Sequence, residues 1–487
     1  MAQTQDFPSI ESTRSALPAR HSGPGLSGWL LLGLVLLAAF ALRVYRLGSF
    51  PDTVLADEAD NAQDSIRILY GQPPPNGFFG LDWTSQPAFS AYKEAAFLAV
   101  FGINVMAMRL SSAILSTLAL LPFHLLLRRQ LSIPASLLGT ILLATDVWYL
   151  NFSRSGWNCI DICFYMLMAM LFLMWGLDAL PQLDGAHPFK WMHFAAAGFF
   201  CALGLYGYPA GRAITLAVIA FAPIALLFNR RYIKRVLLGY GLLLLVEAVV
   251  FAPQALYIAR NWEHFNGRSS VVLIFNDPEY QANPSGTLLH QMRTNLRGPW
   301  DGRVNNTAQY SPVGEPQLDR ITGLLTLAGM LLTFFSAARR RQPETWLWWL
   351  MLLAGWVLTQ LFTVHTPNGA RGIGYMPTLV YFAGVSLDAI LLTLLSASGR
   401  ISSLPVFKSI PLAAVSLLVL FAGYANVTHY IRWQNTPRTR QDRYLYLTVG
   451  EFPAWAKDTI DRAIQKQSSS NVGQWREAHP IQDIANP

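Results

Sequence analysis

Charged residues are scarce in this 487-residue chain: 13% are Asp, Glu, Lys or Arg, against about 25% in an ordinary soluble domain. Cysteine is scarcer still, and three thiols cannot staple a small secreted scaffold. His-x-x-x-His and Cys-x-x-Cys spacings are both missing, so the sequence declares no metal centre. It also lacks the internal repeats that build many transporters. Lys and Arg outnumber Asp and Glu by 36 to 28, yet no basic stripe with interleaved aromatics occurs, which argues against nucleic acid as a partner. Apolar surface is what the chain has in excess. Hydrophobic residues make up 53%, with 28 Phe and 15 Trp, and the mean hydropathy is +0.31. Disorder, collagen and coiled coil are excluded, and a polytopic membrane protein remains.

A membrane-crossing helix needs roughly 20 mostly apolar residues. Eleven segments qualify: 28–47, 109–127, 133–150, 160–178, 192–208, 212–228, 236–253, 320–337, 345–363, 375–395 and 410–431. The first is too long, and too poorly followed by a cleavage site, for a signal peptide and reads as an anchor. Basic residues mark cytoplasmic loops. With the N-terminus inside, the inner loops carry runs such as Arg128-Arg129, Arg230-Arg231 and Arg339-Arg340-Arg341, whereas the short outer loops carry only Arg154, Arg212 and Arg371. The predicted organisation is a cytoplasmic tail (1–27), an all-α transmembrane domain of about 11 helices (28–431) and an extracytoplasmic tail (432–487). Two long outer loops, 48–108 and 254–319, interrupt the domain. The tail holds a candidate strand, Tyr444–Val449, and an amphipathic stretch from Pro453 to Gln465.

The first outer loop carries the most informative residues. After Asp57-Glu58, the residues Ala59, Ala62, Ile66 and Leu69 share one helical face, while Asp60, Asp64 and Arg67 lie on the other. This pattern predicts an amphipathic helix lying on the membrane surface. A second runs from Pro87 to Phe101, with Phe89, Tyr92, Ala96 and Val100 at helical spacing. Two roles are open to the acidic pair. A carboxylate at a helix N-terminus is a favourable cap. A carboxylate just outside the membrane can also act as a general base toward an incoming hydroxyl.

The order of features resembles a known family. An acidic pair follows the first span, and the second surface helix ends in Phe101-Gly102. Arg109-Leu110-Ser111 opens the next span, Asn151-Phe152-Ser153-Arg154 follows the third, and Tyr206-Gly207-Tyr208-Pro209-Ala210-Gly211-Arg212 joins the fifth to the sixth. Over residues 28 to about 395 the chain resembles the multi-span GT-C glycosyltransferases, specifically the protein O-mannosyltransferase and aminoarabinose transferase group. The resemblance implies a polyprenyl-phosphate-linked sugar donor, inversion at the anomeric carbon, and an acceptor hydroxyl outside the cytoplasm. It matches Asp57 to the family's base, with Glu58 beside it. Asp161, seven residues after Arg154, is the nearest match to a second carboxylate found in some relatives. Where many relatives have His or Lys before Pro-Pro-Leu, this chain has Ser85-Gln86-Pro87-Ala88.

The isolated outer arginines Arg154, Arg212 and Arg371 are either loop caps or a clamp for the donor phosphate, since forked guanidinium groups suit phosphate. His365 either sits in water or assists there, alone or with a divalent ion, and metal use stays undecided. Trp157, Tyr206 and Tyr208 either belong to an interfacial belt or line the substrate path. Glu247, near mid-span, is the residue a transporter or flippase would use. Cys159, Cys163 and Cys201 read as core residues. The expectation is an inverting glycosyltransferase in a bacterial inner membrane. Its catalytic residues are Asp57, Glu58 and Asp161, its active site is extracytoplasmic, and its acceptor is unnamed. A multi-span lipid or solute transporter is the alternative.

Overall fold

The computed structural model describes residues 25–468 except 83–84, 183–187, 306–309, 311, 341, 402–404 and 437–444. The predicted cytoplasmic tail up to residue 24 and the last residues of the C-terminal tail lie outside the described residues.

Backbone in hydrocarbon must hydrogen-bond to itself, so apolar runs become helices. The chain enters through α1 (Leu26–Val44). The long loop after it then forms a short strand, β1 (Thr53–Leu55), and two helices, α2 (Ala56–Leu69) and α3 (Phe89–Phe101). On α2 the predicted apolar face is buried: Ala59, Ala62 and Ile66 are all inaccessible. On α3 the reverse holds. Ala96 and Val100 are exposed, and Ser90, Ala91, Glu94, Ala95 and Leu98 are buried. The C-terminal half of its apolar stripe thus faces away from the protein, whereas Phe89 and Tyr92 pack against Phe78.

Two helices, α4 (Val105–Leu118) and α5 (Leu120–Arg128), run on as one 24-residue rod. Next, α6 (Ile133–Thr145) and α7 (Val147–Ser153) meet at a 61° bend. Asp146 sits at the bend, where its side chain accepts the Tyr149 N–H at 3.0 Å and so starts a new helix. The remaining helices are α8 (Asp161–Ala179), α9 (Met192–Tyr206), α10 (Arg212–Phe228) and α11 (Ile233–Arg260). In the second long loop come α12 (Trp262–Val272), α13 (Pro278–Ala282) and α14 (Pro284–Arg297). After it come α15 (Arg320–Arg340), α16 (Pro343–Trp356), the four-residue α17 (Gly369–Gly372), α18 (Met376–Ile401) and α19 (Pro405–Gln434). The chain closes with β2 (Leu445–Thr448) and α20 (Phe452–Ser468), close to the strand and helix predicted for the tail.

Each of the eleven predicted segments is helical, but they are unequal. Among the described residues seven helices are long and apolar enough to cross a membrane, and the bent α6–α7 pair makes an eighth. The segments 192–208 and 320–337 fall on shorter apolar helices, and 345–363 falls on α16 with a π turn at its end. The main core lies between α5, α6, α8, α9, α16 and α18, around Phe123, Trp148, Trp348 and Tyr381. Trp348 and Tyr381 stack with ring centroids 4.6 Å apart. Close helix approach depends on missing side chains, as is common in membranes. A Cβ on Gly329 of α15 would lie 1.8 Å from the Phe382 carbonyl of α18.

Candidate active site

The two neighbouring carboxylates have different surroundings. Glu58 is 1% exposed. Its Oε1 accepts Arg109 Nε at 2.7 Å and the Gly156 N–H at 2.8 Å. Its Oε2 reaches back to the Leu55 N–H at 3.2 Å, which caps α2. Arg109, also 1% exposed, donates to the carbonyls of Pro51 at 2.9 Å, Leu47 at 3.3 Å and Thr53 at 2.8 Å. This knot ties the exit of α1, the start of α2, α4 and the turn after α7. Gly156 fits it because a Cβ there would lie 2.7 Å from Met108 Cγ and 3.1 Å from Glu58 Cγ. Both oxygens of Glu58 are therefore committed to the scaffold, which disfavours the expected role as partner base.

Asp57 lies within electrostatic reach of an aromatic group. Its carboxylate acts electrostatically on Tyr208 and on Tyr310, and Arg371 acts on the same two phenols with opposite sign. Partial burial and then Asp57 push the Tyr310 hydroxyl above the usual tyrosine range. Trp157 joins the two phenols: its ring lies 6.3 Å from Tyr208, edge to face, and 6.0 Å from Tyr310. Asn368 Nδ2 donates to Tyr310 Oη at 3.1 Å. The same Asn368 caps α17 by accepting the Arg371 N–H at 3.0 Å, and Gln360 grips its backbone from both sides at 2.9 Å. Arg371 Nη1 donates to the Val364 carbonyl at 2.7 Å, and Arg371 lines a small cleft together with Ile162, Met166, Ile214, Met351 and Tyr375.

The other predicted residues separate from this group. Arg154 is 3% exposed. It donates to three carbonyls at the end of α1, those of Leu42 (2.6 Å), Arg43 (2.7 Å) and Tyr45 (2.8 Å), and to that of Phe50 (2.8 Å) in the loop beyond. Those orphan carbonyls need donors, so Arg154 is a helix cap here, contrary to the phosphate-clamp expectation. Arg212 stacks over Phe265 of α12, 5.0 Å from the ring centre. His365 is exposed, in a left-handed turn with φ of 53°. Tyr206 sits in a second aromatic group with Phe78, Phe89 and Phe251, and its hydroxyl donates to the Val250 carbonyl at 2.9 Å.

Asp161 is buried and ion-paired with Lys93 of α3. Sequence reasoning missed Lys93, because the helix was read from its aromatic spacing alone. Its neighbour Glu94 is 3% exposed. Burial pushes that carboxyl well above the usual range; Lys93 opposes, while Glu58, Asp161 and Asp64 add to the rise. Asp60 is pushed up to about 6 by partial burial and then by Asp57 and Asp64. Glu247 accepts a hydrogen bond from Thr215 within the membrane body. Among the described residues no three His, Cys, Asp or Glu side chains group to hold a metal ion.

No family model matches the chain. A curated undecaprenyl phosphate-α-4-amino-4-deoxy-L-arabinose arabinosyl transferase of Pseudomonas aeruginosa is 25% identical over 405 residues, covering 80% of this chain and 69% of the relative. The fold is similar to that of ArnT from Cupriavidus metallidurans, solved with undecaprenyl phosphate bound, at a TM-score of 0.52 and 16% identity, covering 92% of this chain and 79% of that one. It is also similar to the oligosaccharyltransferase of Archaeoglobus fulgidus, at a TM-score of 0.56 and 15% identity, covering 86% and 60%. The architecture is that of a multi-span membrane protein of the GT-C type. The proteins it is similar to in sequence and in fold are glycosyltransferases of that group.

Proposed function

We propose that the chain moves a sugar from a polyprenyl-phosphate donor to an acceptor hydroxyl at the extracytoplasmic face of a bacterial inner membrane. Asp57 is the general base. It takes the acceptor proton as the acceptor oxygen bonds to the anomeric carbon. The carbon–oxygen bond to the phosphate breaks, its electron pair stays on the phosphate, and the anomeric centre inverts. Arg371 meets that growing negative charge, where a fixed donor contributes most. The Trp157, Tyr208 and Tyr310 rings line the sugar's side of the site. The observation that carries this reading is the division within the acidic pair: Glu58 is buried and hydrogen-bonded to Arg109 and Gly156, while Asp57 is half-buried and, like Arg371, acts electrostatically on Tyr208 and Tyr310.

Eleven crossings with the N-terminus inside accompany the proposal, with α2 and α3 at the outer membrane surface; cysteine labelling of successive loops tests that topology. The function itself is tested with purified protein and radiolabelled polyprenyl-phosphate sugars. Asp57→Asn should lower transfer by about 10²–10⁴-fold. Equal transfer by both proteins moves the base away from Asp57. Folded native protein that releases label from no donor overturns the function.

A further inference from the structure

The C-terminal segment is built onto the turn that carries Asp57. Strand β2 pairs antiparallel with β1, with Thr53 opposite Thr448, Val54 opposite Leu447 and Leu55 opposite Leu445. The pairing extends one step further, because the Val449 N–H donates to the Asp52 carbonyl at 3.0 Å. Helix α20 then lies along α2. Phe452, Ala456 and Ile460 are buried in one cluster with Val54, Ala59, Ala62 and Ile66, and this cluster is separate from the membrane core. Gln72 Nε2 donates to the Ala463 carbonyl at 2.5 Å and fixes the far ends of the two helices.

Neither β1 nor α2 can hold itself in place. Isolated helices below about 12–15 residues are marginal in water, and α2 has 14 residues with carboxylates along one face. A lone two-stranded ribbon needs a packed face to persist. The Glu58–Arg109 knot holds the Asp57 turn from the membrane side. The apolar face of α2 is shared by Leu98 of α3, by Val105, Ala107 and Met108 of α4, and by Leu447, Phe452, Ala456 and Ile460 of β2–α20, and among these it is β2 that also pairs with the strand leading into the Asp57 turn.

We infer that β2–α20 is a positioning element of the active site, and that Leu447, Phe452 and Ile460 set where the Asp57 carboxylate stands relative to the acceptor. The inference rests on the reading of Asp57 as base. A misplacement of about 1 Å can cost on the order of 100-fold in rate. The donor side, around Arg371 and its cleft, lies on α17 and its neighbours and makes none of these contacts. Loss of the positioning element should therefore lower kcat and spare the donor KM.

The test uses the full chain. Phe452→Ala should lower kcat by about 100-fold while donor KM stays within about twofold, the split expected for a defect confined to the chemical step. Thr53→Cys with Thr448→Cys is then added. Directly opposed strand residues have Cα atoms about 4.5–5.5 Å apart, within disulfide range, and the three native cysteines are buried. Oxidation should restore kcat at least tenfold in the Phe452→Ala background, and dithiothreitol should abolish the gain. Three results overturn the inference: native kcat in Phe452→Ala, equal damage to donor KM and kcat, or no recovery in a cross-linked sample. Asp57→Asn runs in parallel. Its turning over at the native rate overturns the base assignment itself, whereas a silent Asp57→Asn beside a fully active Phe452→Ala overturns the positioning role alone.

Discussion

Replacing Glu58 by Gln separates scaffold from chemistry at the acidic pair. The side chain keeps its shape and loses its charge. Arg109 is then left 1% exposed without its carboxylate, and one face of the new amide presents N–H groups to donors, either Gly156 at 2.8 Å or Leu55 at 3.2 Å. Breaking one partner of a buried ion pair costs about 3–5 kcal/mol. Arg109 keeps its carbonyl contacts to Leu47, Pro51 and Thr53, so the lower end, about 3 kcal/mol, is expected. In detergent, thermal unfolding should shift down by several degrees. The enzyme that stays folded should keep measurable transfer. Asp57→Asn should do the opposite, melting with the native protein and transferring almost nothing. The reasoning fails if Glu58→Gln melts like the native chain yet is silent in transfer, since Glu58 would then be part of the chemistry. A Glu58→Leu, Arg109→Leu double variant should recover part of the stability lost by either single change.

Arg154→Ala should destabilise by about 3–5 kcal/mol, because three carbonyls at the end of α1 and that of Phe50 lose a charged donor; thermal unfolding measures this, and an unchanged donor KM separates cap from clamp. Arg154→Lys should not rescue it, because an ammonium lacks the fork that spans those carbonyls. Arg371→Gln should raise donor KM and lower kcat by roughly 10–100-fold together, the range for losing a hydrogen bond to a charged group; steady-state kinetics with varied donor decide it. Asp60 has its carboxyl raised from 3.8 to about 6, so the folded state holds that proton more tightly than the unfolded one. Its contribution to stability is full below pH 3.8 and is lost as pH rises through 6. Asp60→Asn should therefore melt higher than the native chain near neutral pH and equal it near pH 4; no difference at neutral pH refutes the shift.

The helices were legible because hydrocarbon allows few alternatives, and the apolar runs have the right length. The bend at Asp146 was not, since a single acid at the end of a span reads equally as a terminus. In the site, Asp57 and Glu58 are adjacent in sequence, and only the distant Arg109 and Gly156 distinguish them. Arg154 and Arg371 look alike, each alone in a short outer loop beside Gly and Asn. The difference lies in what surrounds each: Arg154 meets the orphan carbonyls of a helix end, whereas Arg371 meets a cleft. Lys93 was hidden because one cation among aromatics on a surface helix reads as a solvated residue. The tail's strand and helix were legible from local pattern, but their partner was not. A three-residue strand such as Thr53–Leu55 has too few positions to show an alternation.

The carbonyl grip of Arg154 bears on how the protein is made. The residues it holds, Leu42 to Phe50, precede it by 104 to 112 positions. Synthesis at about 5–20 residues per second places roughly 5–20 s between the emergence of the first helix and that of its arginine. During that interval α1, still only 17% buried even in the finished fold, has lipid as its main neighbour. The first span must therefore insert by its own hydrophobicity and wait, first for Arg109 to reach the Leu47 and Pro51 carbonyls and then, once the third hydrophobic segment has emerged, for the Arg154 grip on its C-terminal end.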